Sequence, residues 1–563
     1  MVNNVHSNDY PKFNDSKPAL SAADEFALAT NCRVEELAGQ GIAWRPAGDR
    51  AGNHSTEPNM SRLAKLDQQY VWHPFTQMLD WLRQEPIVIV EGRGTMLRDD
   101  QGREYLDANA SIWTNLHGHQ HPRINTAIRR QLKKIAHSSA LGFANEPASL
   151  LAARLVETAR ADQDRPGAPA HGAASHNPTL EKVFFGDDGS TALEIALKLA
   201  YEFTRRTRGA KTKPRFLSLA GAYHGDTIGA VSLGHIDLFH QAYGGMLFKT
   251  DRVMAPYCYR CPFNRAKPQR DDARNYRQCD WECVHQVERK LTTRLKKGDA
   301  YAAFVFEPLM QGAAGMIPQP DGWLPQVARL AREHGALLIA DEVMTGFGRT
   351  GSHHPTGDTR PGGQVGNDAF ANPGPPAGAA RLFATGKAGV APDFLCLAKG
   401  LTGGYLPMSA TLTTQAVFDA FLGEYEEFKT FFHGHSFTGN QLGAAASLAS
   451  LDLLQSPASV RARAELEKHL HARLQSLWSL PMVGDIRQVG LVAGIELVRD
   501  WRTREAFPWQ ERVGIRVCAA MAQRGVLTRP VGNVIVLMPP YCTTPAQLQQ
   551  MINALAEALQ GMR

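Results

Sequence analysis

The residue with the clearest chemical potential is Lys399, which ends the segment Asp393-Phe-Leu-Cys-Leu-Ala-Lys399-Gly400. Residues 394–397 are apolar and of strand length, so the pattern predicts a lysine at the end of a buried strand, where burial lowers the pKa of an ammonium group. Such a lysine supplies the free amine that Schiff-base chemistry requires near neutral pH. The alternative is a lysine whose long side chain reaches water from a strand end.

A second apolar run, residues 336–340, ends in Asp341 and Glu342. The carboxyl ends of parallel strands line the ligand crevice of an α/β sheet. A carboxylate there can keep the nitrogen of a pyridine-type cofactor ring protonated, which makes the ring an electron sink. The alternative is a carboxylate that caps a helix. The loop that follows, Thr345-Gly-Phe-Gly-Arg349-Thr-Gly351, either presents a cation or is a plain turn.

Two more segments carry weaker signals. Gly186-Asp-Asp-Gly189-Ser190-Thr191 lies between a strand pattern and a helix pattern, where N–H groups and hydroxyls can cradle a phosphate. The same residues also suit an ordinary helix cap. In Gly221-Ala-Tyr223-His224-Gly225, which follows another strand pattern, Tyr223 could stack on an aromatic cofactor ring or pack in the core.

The elements that position these residues alternate along the chain. A helix pattern after Gly189 places Ala192, Ile195 and Leu199 on one face. Apolar strands that alternate with helices predict an α/β fold with a mainly parallel sheet covered on both faces. The strand-length apolar runs are Lys182–Phe185, Arg215–Leu219, Ala302–Phe306, Ala336–Ala340, Phe394–Leu397 and Met408–Leu412.

Composition excludes several classes of function. Hydrophobic residues make up 43% and charged residues 21% of the 563 residues, which is typical of a globular protein with more than one domain. The net charge is +6 and no basic cluster is interleaved with aromatics, so we expect no nucleic-acid partner. Residues 1–17 do not resemble a signal peptide, and no apolar run approaches the roughly 18 residues of a membrane span. We expect a cytoplasmic protein with no membrane association.

We predict four regions. Residues 1–60 form a disordered extension, 61–115 a segment that joins the small domain, 116–410 a large cofactor-binding domain, and 411–563 a C-terminal small domain of α+β type, with strand patterns at 490–497 and 534–538. Two stretches poor in aliphatic residues, 162–178 and 352–389, predict surface insertions. The second either overhangs the site between Asp341 and Lys399 or is an inert loop.

The order of these motifs closely resembles the fold-type I enzymes that depend on pyridoxal phosphate (PLP), class III aminotransferases, over roughly residues 65–555. The resemblance implies a mainly parallel, seven-stranded sheet in the large domain, plus a smaller α+β domain. Four segments resemble the branch of this family that converts 8-amino-7-oxononanoate to 7,8-diaminononanoate in biotin biosynthesis, usually with S-adenosylmethionine as amino donor. These segments are Val71–Met78, Trp113 with His117-Gly118, Phe431–Phe437 and Leu537–Tyr541.

The resemblance implies roles for individual residues. The Schiff-base lysine of the family falls on Lys399, the partner of the pyridine nitrogen on Asp341, and the ring-stacking tyrosine on Tyr223. The phosphate contacts fall on Gly189 and Ser190. Lys399 would act as general base and acid in two half-reactions at one site, which implies ping-pong kinetics.

Further positions concern the partner subunit and the substrate. Ser436 matches a hydroxyl that the partner subunit contributes to the phosphate site, so the resemblance implies a homodimer with shared active sites. Trp113 matches the tryptophan that walls the substrate pocket, and its alternative is core packing. Arg529 matches the arginine that binds the substrate carboxylate, a task suited to a bidentate guanidinium, and its alternative is a surface ion pair. Phe75 and Gly434 also fall at the substrate site.

Two departures from the family pattern concern the amino donor. Members of the branch that use S-adenosylmethionine commonly carry tyrosine where this chain has Phe75 and Val536. The loss of two hydroxyls removes potential hydrogen bonds to a polar donor. Some members use lysine as the donor and have phenylalanine in the first motif, so lysine remains an alternative to S-adenosylmethionine.

Four cysteines, Cys258, Cys261, Cys279 and Cys283, have spacings close to those of a zinc site. We predict reduced thiols in a surface excursion and keep a structural zinc ion as the alternative. Other functions also stay open at this point. They are a class III transferase for ornithine or 4-aminobutyrate, and a related racemase or mutase. A non-catalytic PLP-binding scaffold would require loss of Lys399 or Asp341, and both are present.

Overall fold

A computed structural model describes residues 60–163, 178–351 and 381–562 of the chain. The predicted extension, apart from residue 60, and most of both predicted insertions lie outside these ranges. The described part of the second insertion, residues 381–389, includes a short helix with buried residues. Helix Glu146–Gln163 likewise extends into the first insertion.

The helices are short to medium in length. They are α1 Arg62–Tyr70, α2 Met78–Leu82, α3 Ala110–Trp113, α4 Pro122–Lys134, α5 Glu146–Gln163, α6 Gly189–Arg208, α7 Ile228–Leu233, α8 Asp237–His240, α9 Ala273–Tyr276, α10 Glu282–Leu295, α11 Trp323–Glu333, α12 Ala384–Ala388, α13 Gln415–Asp419, α14 Gln441–Gln455, α15 Pro457–Leu474, α16 Val513–Ala522 and α17 Pro545–Gln560.

The strands are mostly four to seven residues long. They are β1 Ile89–Arg93, β2 Met96–Asp99, β3 Glu104–Asp107, β4 Leu180–Gly186, β5 Phe216–Leu219, β6 Asp251–Val253, β7 Ala303–Phe306, β8 Met310–Gln311, β9 Ile317–Pro318, β10 Leu337–Asp341, β11 Phe394–Leu397, β12 Ser409–Thr414, β13 Val483–Val489, β14 Val492–Asp500, β15 Glu505–Ala506, β16 Val526–Leu527, β17 Pro530–Val531 and β18 Val534–Leu537.

A seven-stranded sheet organises the larger part of the fold, in the order β4-β12-β11-β10-β7-β5-β6. Only β12 runs antiparallel to its neighbours in this sheet. The predicted α/β architecture with a mainly parallel seven-stranded sheet is confirmed. Every residue of β5, β7 and β11 is buried, as expected for strands covered by helices on both faces.

Helix α6 shows how local sequence sets an element beside the site. Asp188 caps its N-terminus by accepting the N–H of Thr191, and the Thr191 side chain accepts N–H donation from the cap, which forms a capping box. The helix face predicted from the sequence is buried, including Ala192, Ile195 and Leu199. The first turn of this helix is therefore fixed at the carboxyl end of β4.

A second hydrophobic core lies among residues 466–559 and also contains Leu106 and Ala108. The N-terminal strands reach it because β3 pairs in parallel with β16, with Leu106 opposite Val526. Helix α14 instead packs its buried face into the core of the large sheet through Ala444, Leu451 and Leu454. The division of the chain into domains at residues 115 and 410 stays a prediction.

The first residue of the predicted insertion 162–178, Asp162, contacts the last part of the predicted insertion 352–389. The buried carboxylate of Asp162 accepts backbone N–H groups of Leu382 and Phe383 at 2.7 and 2.8 Å. The fold thus holds these two points of the chain together. Among the residues that the structure describes, no helix has the length and apolar character needed to cross a membrane.

Candidate active site

Lys399 and Asp341 lie at the carboxyl ends of neighbouring parallel strands. In the β10–β11 pair, Asp341 stands opposite Cys396, and Lys399 follows three residues later. Lys399 has a φ of +41°, so the chain turns sharply where β11 ends. This register brings a lysine amine and a carboxylate to one edge of the sheet.

The surroundings of Lys399 favour a free amine. Burial lowers the pKa of its ammonium group, although the carboxylates of Asp341 and Glu307 act to raise it. Its Nζ lies 5.2 Å from the centre of the Trp113 ring. A lysine with a lowered pKa can form a Schiff base and can accept a proton near neutral pH.

Asp341 is buried and anchored by a histidine. Its Oδ2 lies 2.7 Å from His224 Nδ1, and its Oδ1 accepts the backbone N–H of Val343. Burial acts to lower the pKa of His224, but the hydrogen bond and charge of Asp341 and the charge of Glu307 outweigh it, so the pKa is raised. The Asp341 carboxylate is therefore held in place at the sheet edge, where its oxygens can accept a hydrogen bond from a ring N–H.

The predicted phosphate loop is built around Ser190. Its hydroxyl lies 2.7 Å from the Thr227 hydroxyl and accepts the Thr227 backbone N–H at 3.0 Å. A Cβ atom on Gly189 would come within 2.7 Å of Val343, so only glycine fits there. The first N–H groups of α6 and two hydroxyls thus face the same place, which suits an anion.

Gly225 allows the Tyr223 loop to approach Ser190 closely. Its φ is +121°, and a Cβ atom would lie 2.3 Å from Ser190 Oγ. We expect Gly225→Ala to destabilise the fold by about 2 kcal/mol or more and to weaken cofactor binding, because both the φ and the contact are unfavourable. Thermal unfolding and a cofactor titration measure the two effects.

Gly244→Ala is the matched control for this prediction, since Gly244 has open space around it. It should change neither quantity. Equal behaviour of the two variants would show that the close approach of Gly225 to Ser190 does not matter.

A cavity of about 730 Å³ unites these residues. Its walls contain the predicted lysine, aspartate and phosphate loop, together with the aromatic side chains of Trp113 and Tyr223. The lining includes Trp113, Gly189, Ser190, Tyr223, His224, Glu307, Asp341, Val343, Met344 and Lys399. A larger cavity, of about 940 Å³, is lined by residues of α6, by residues 213–216 and by several aromatic residues between 421 and 432, and its lining includes neither Lys399 nor Asp341.

The residues that line the smaller cavity fit PLP. They supply an amine for its aldehyde, a carboxylate for its ring nitrogen and helix N–H groups for its phosphate. Glycine at 189 and 225 lets the backbone pack closely against Val343 and Ser190 beside the phosphate cradle, since a Cβ atom at either position would overlap these side chains. The amine, the carboxylate and the helix N–H groups thus match the aldehyde, the ring nitrogen and the phosphate of the cofactor.

Other residues implied by the resemblance lie at different distances from the cavity. Trp113 lines it, and the Trp113 indole N–H is buried without a hydrogen-bond partner in the described structure. The Phe75 ring is 60% exposed and lies 6.3 Å from the Tyr223 ring, on the side where Phe239 also packs. Ser436, Gly434 and Arg529 are exposed and lie outside the set of lining residues.

Val536 belongs to a buried apolar cluster beside Trp113. The cluster is rich in methionine, a flexible side chain that adapts to irregular space. One member, Met344, also lines the cavity, which places the cluster at the cavity wall. Its buried members are Met310, Met316, Met344, Val492, Val536 and Met538.

Sequence reasoning missed His224, Glu307 and Thr227, which the fold brings to the same edge. His224 lies within the quoted Tyr223-His224-Gly225 segment, and Glu307 directly follows a predicted strand, so position alone could have indicated both. The cation of the predicted Gly-rich loop is instead structural. Arg349 is fully buried and donates to the carbonyl oxygens of Pro539 and Asn115 at 2.7 and 3.1 Å.

The four clustered cysteines are free thiols. Burial raises the pKa of Cys258 to about 12 and that of Cys283 to about 11. Across the described ranges, no group of three or more His, Cys, Asp or Glu side chains is arranged to hold a metal ion. The zinc alternative therefore finds no ligand geometry in this part of the chain.

Comparisons with known proteins agree with this site. A relative from Geobacter sulfurreducens, named adenosylmethionine-8-amino-7-oxononanoate aminotransferase, is 44% identical over 497 residues, which cover 88% of this chain and 97% of the relative. A relative from Aquifex aeolicus with the same name is 40% identical over 500 residues, covering 89% of this chain and 97% of its own length.

Solved structures show the same fold. The enzyme of that name from Methanocaldococcus jannaschii superimposes with a TM-score of 0.73 at 36% identity, covering 89% of this chain and 98% of its own. An amine transaminase from an uncultivated Pseudomonas species, solved in a PLP-bound form, gives a TM-score of 0.73 at 30% identity, covering 87% of this chain and 98% of its own.

The family model described as "Aminotransferase class-III" matches residues 80–360 and 377–559. The chain belongs to the class III aminotransferase family.

Proposed function

We propose that this chain is a PLP-dependent enzyme that transfers an amino group to 8-amino-7-oxononanoate and so forms 7,8-diaminononanoate in biotin biosynthesis, with S-adenosylmethionine as the amino donor. The observation that carries the proposal is the meeting of Lys399 and Asp341 in one cavity with Trp113. The choice of acceptor is supported by relatives at 40–44% identity, which share one name and are matched over most of their length.

PLP, when bound, supplies an aldehyde that accepts the amino group and a ring that stabilises negative charge at the donor carbon. We assign to Lys399 the attachment of the cofactor and the movement of a proton at its Nζ atom. We assign to Asp341 the ring nitrogen, with His224 fixing the carboxylate. Tyr223 covers the ring, while Gly189 and Ser190 bind the phosphate. Trp113, with Phe75, Gly434 and Arg529, forms the substrate side.

The donor is tested by mixing the PLP-loaded protein with S-adenosylmethionine or with L-lysine and following the absorbance of the bound cofactor. Conversion of the cofactor from its aldehyde to its amine form with S-adenosylmethionine supports the proposal. Conversion with lysine alone keeps the acceptor and changes the donor. Conversion with neither, but with 4-aminobutyrate or ornithine, would contradict the biotin-pathway assignment and leave only the family.

Lysine is the second candidate donor because of the two missing hydroxyls. Val536 is buried in the methionine-rich cluster beside Trp113. Phe75, which has no hydroxyl group, packs edge-on against the ring of Phe239. Phe75→Tyr and Val536→Tyr restore the hydroxyls separately. If S-adenosylmethionine is the native donor, the wild-type protein should already react with it, and neither substitution should increase the rate. A rate with S-adenosylmethionine that rises in either variant favours lysine as the native donor.

We also infer a cytoplasmic homodimer with shared active sites. Ser436 is exposed and lies outside the cavity of its own chain, as a residue donated to a partner subunit would. Large apolar side chains of the same segment are exposed too, with Phe432 at 71% and Phe437 at 58%, which is typical of a protein interface. The free thiols of the described cysteines suit a reducing compartment.

Ser436→Ala should raise the Kd for PLP by roughly tenfold, because one hydrogen bond to a charged phosphate is lost. Equilibrium dialysis measures the Kd, and analytical ultracentrifugation of the wild-type protein measures the dimer. Ser476→Ala, which alters another exposed serine whose hydroxyl donates within its own helical turn, is the control. An unchanged Kd in Ser436→Ala would contradict the shared site.

A further inference from the structure

Trp113 reaches the cavity from a turn of unusual handedness. All four residues of α3, Ala110–Trp113, have positive φ values, of +45°, +47°, +59° and +69° in chain order. None of them is glycine, and Ile112 is β-branched, so each adopts a backbone conformation that its Cβ atom disfavours. Four such residues in succession form a left-handed turn, which persists only where other contacts hold it.

The buried carboxylate of Asp107 supplies such contacts. Its Oδ1 accepts the backbone N–H of Ser111 at 3.0 Å and that of Asn109 at 3.3 Å. Its Oδ2 accepts a hydrogen bond from the Ser111 hydroxyl at 2.8 Å. His119, which follows the turn, places its Nε2 atom 3.2 Å from the same Oδ2. One carboxylate therefore contacts the chain before, within and after the turn.

Both ends of this segment are fixed to one small sheet, of the order β1-β2-β3-β16. Asp107 is the last residue of β3. The backbone N–H of His119 donates to the carbonyl oxygen of Gly94 at 2.7 Å, and its own carbonyl oxygen accepts the Gly94 N–H at 2.9 Å. Gly94 connects β1 to β2. The contact between Asp107 and His119 thus closes the segment across a rigid base.

The Trp113 ring carried by this turn forms part of the cavity wall. It packs against the methionine-rich cluster, and the Nζ atom of Lys399 lies 5.2 Å from its centre. A Cβ atom on Gly312 would lie 3.4 Å from Cζ3 of the ring, so the backbone opposite is also close. A change in the turn would move the ring relative to the Lys399 amine.

We propose that Asp107 is a positioning residue, which holds the left-handed turn and thereby fixes the Trp113 ring on the substrate side of the cavity. Asp107 itself is not among the described residues that line the cavity, so it acts on the substrate through Trp113. Without its carboxylate the turn would relax towards a less strained backbone and withdraw the ring. The part of this inference that concerns the substrate rests on the proposed function.

Asp107→Asn tests the inference in the PLP-loaded enzyme. Asparagine keeps the size of the side chain but replaces one acceptor oxygen with an NH₂ group, so the bonds to Ser111 and His119 cannot both form. We expect kcat/KM for the amine that converts the bound cofactor to fall by roughly tenfold or more, because a displaced wall misplaces the substrate. Ser111→Ala removes a single bond and should give a smaller fall. It replaces Asp107→Asn if that variant does not fold.

Trp113→Ala provides the background that separates positioning from a general loss of structure. It removes the ring that Asp107 is inferred to position, so Asp107→Asn should have little further effect on kcat/KM when both substitutions are combined. The two effects should therefore be far from additive. A further fall as large as the one that Asp107→Asn causes alone would overturn the proposal, because Asp107 would then act by another route.

Asp99→Asn is the matched control. Asp99 ends β2 of the same sheet, is buried like Asp107, and accepts the backbone N–H groups of Gln101 and Arg103 and the hydroxyl of Tyr105. Its turn contributes none of the described residues that line the cavity. We expect Asp99→Asn to lower Tm, as Asp107→Asn does, but to leave kcat/KM close to the wild-type value. An equal fall in kcat/KM would contradict the proposal.

The apoprotein gives a readout that needs neither PLP nor substrate. The fluorescence of Trp113 is the difference between spectra recorded with and without Trp113→Phe. We expect acrylamide to quench this signal roughly twofold more strongly in Asp107→Asn than in the wild-type background, because a released turn exposes the ring. Equal quenching means that Asp107 does not hold Trp113, whatever the enzyme does. If quenching rises but no amine converts the cofactor, the proposed function is wrong and the positioning role stands.

Discussion

Lys399→Ala is expected to lower the rate of the half-reaction with the amino donor by roughly 10³-fold or more, because the variant lacks the group that moves the proton. The amine lies just after the carboxyl end of β11, with its Nζ over the Trp113 ring. Lys399 is the one lysine among the described residues that line the cavity, so no other lysine of this part of the chain can replace it there. Single-turnover absorbance measurements give this rate directly.

Exogenous methylamine separates a chemical loss from a structural one. A small amine that enters the space left by the Lys399 side chain should restore part of the rate in Lys399→Ala in proportion to its concentration. Lys468→Ala removes an exposed lysine that pairs with Glu465, and this control should behave as wild type. A rate in Lys399→Ala within tenfold of wild type would contradict the assignment of Lys399.

Asp341→Asn is expected to have the second largest effect, a fall in kcat of roughly 10²- to 10³-fold. Asparagine keeps the size of the side chain and its contact with Val343 but cannot stabilise a protonated ring nitrogen. It also removes the charge that supports the raised pKa of His224. Steady-state kinetics measures kcat, and equilibrium dialysis measures the Kd for PLP.

Asp341→Glu is the comparison that isolates charge from position. It keeps the carboxylate but moves it by one methylene group, so it should retain more activity than Asp341→Asn despite fitting less well. If Asp341→Asn is as active as wild type, the carboxylate does not act on the ring nitrogen, and the site must be assigned differently.

The sequence predicted the core of the fold well because buried strands have a simple pattern. The apolar runs at residues 394–397 and 336–340 became β11 and β10 almost residue for residue, and a charged residue follows each run within two positions. A buried apolar strand followed by a charged residue is a local signal, so Lys399 and Asp341 could be picked out without knowledge of the sheet. Strands β1–β3 were missed, although the apolar run at residues 87–90 overlaps the start of β1, and β1 is largely exposed.

The parts that could not be predicted depend on contacts between distant segments. Glu307 gains its place only from the order β10-β7 in the sheet, and His224 reaches Asp341 across 117 residues of chain. The sequence also left open whether Arg349 is presented as a cation or lies in a plain turn. Its guanidinium is satisfied by carbonyl oxygens of Asn115 and Pro539, far away in sequence, which no local pattern reveals.

The pairing of β3 with β16 has a consequence for the synthesis of the protein. Leu106 and Val526 are separated by about 420 residues, and a ribosome adds about 5–20 residues per second. Strands β1–β3 therefore leave the ribosome roughly 20–80 s before their parallel neighbour exists. The second core can close only when translation is nearly complete, so Leu106 and Ala108 have to wait for their apolar partners until then.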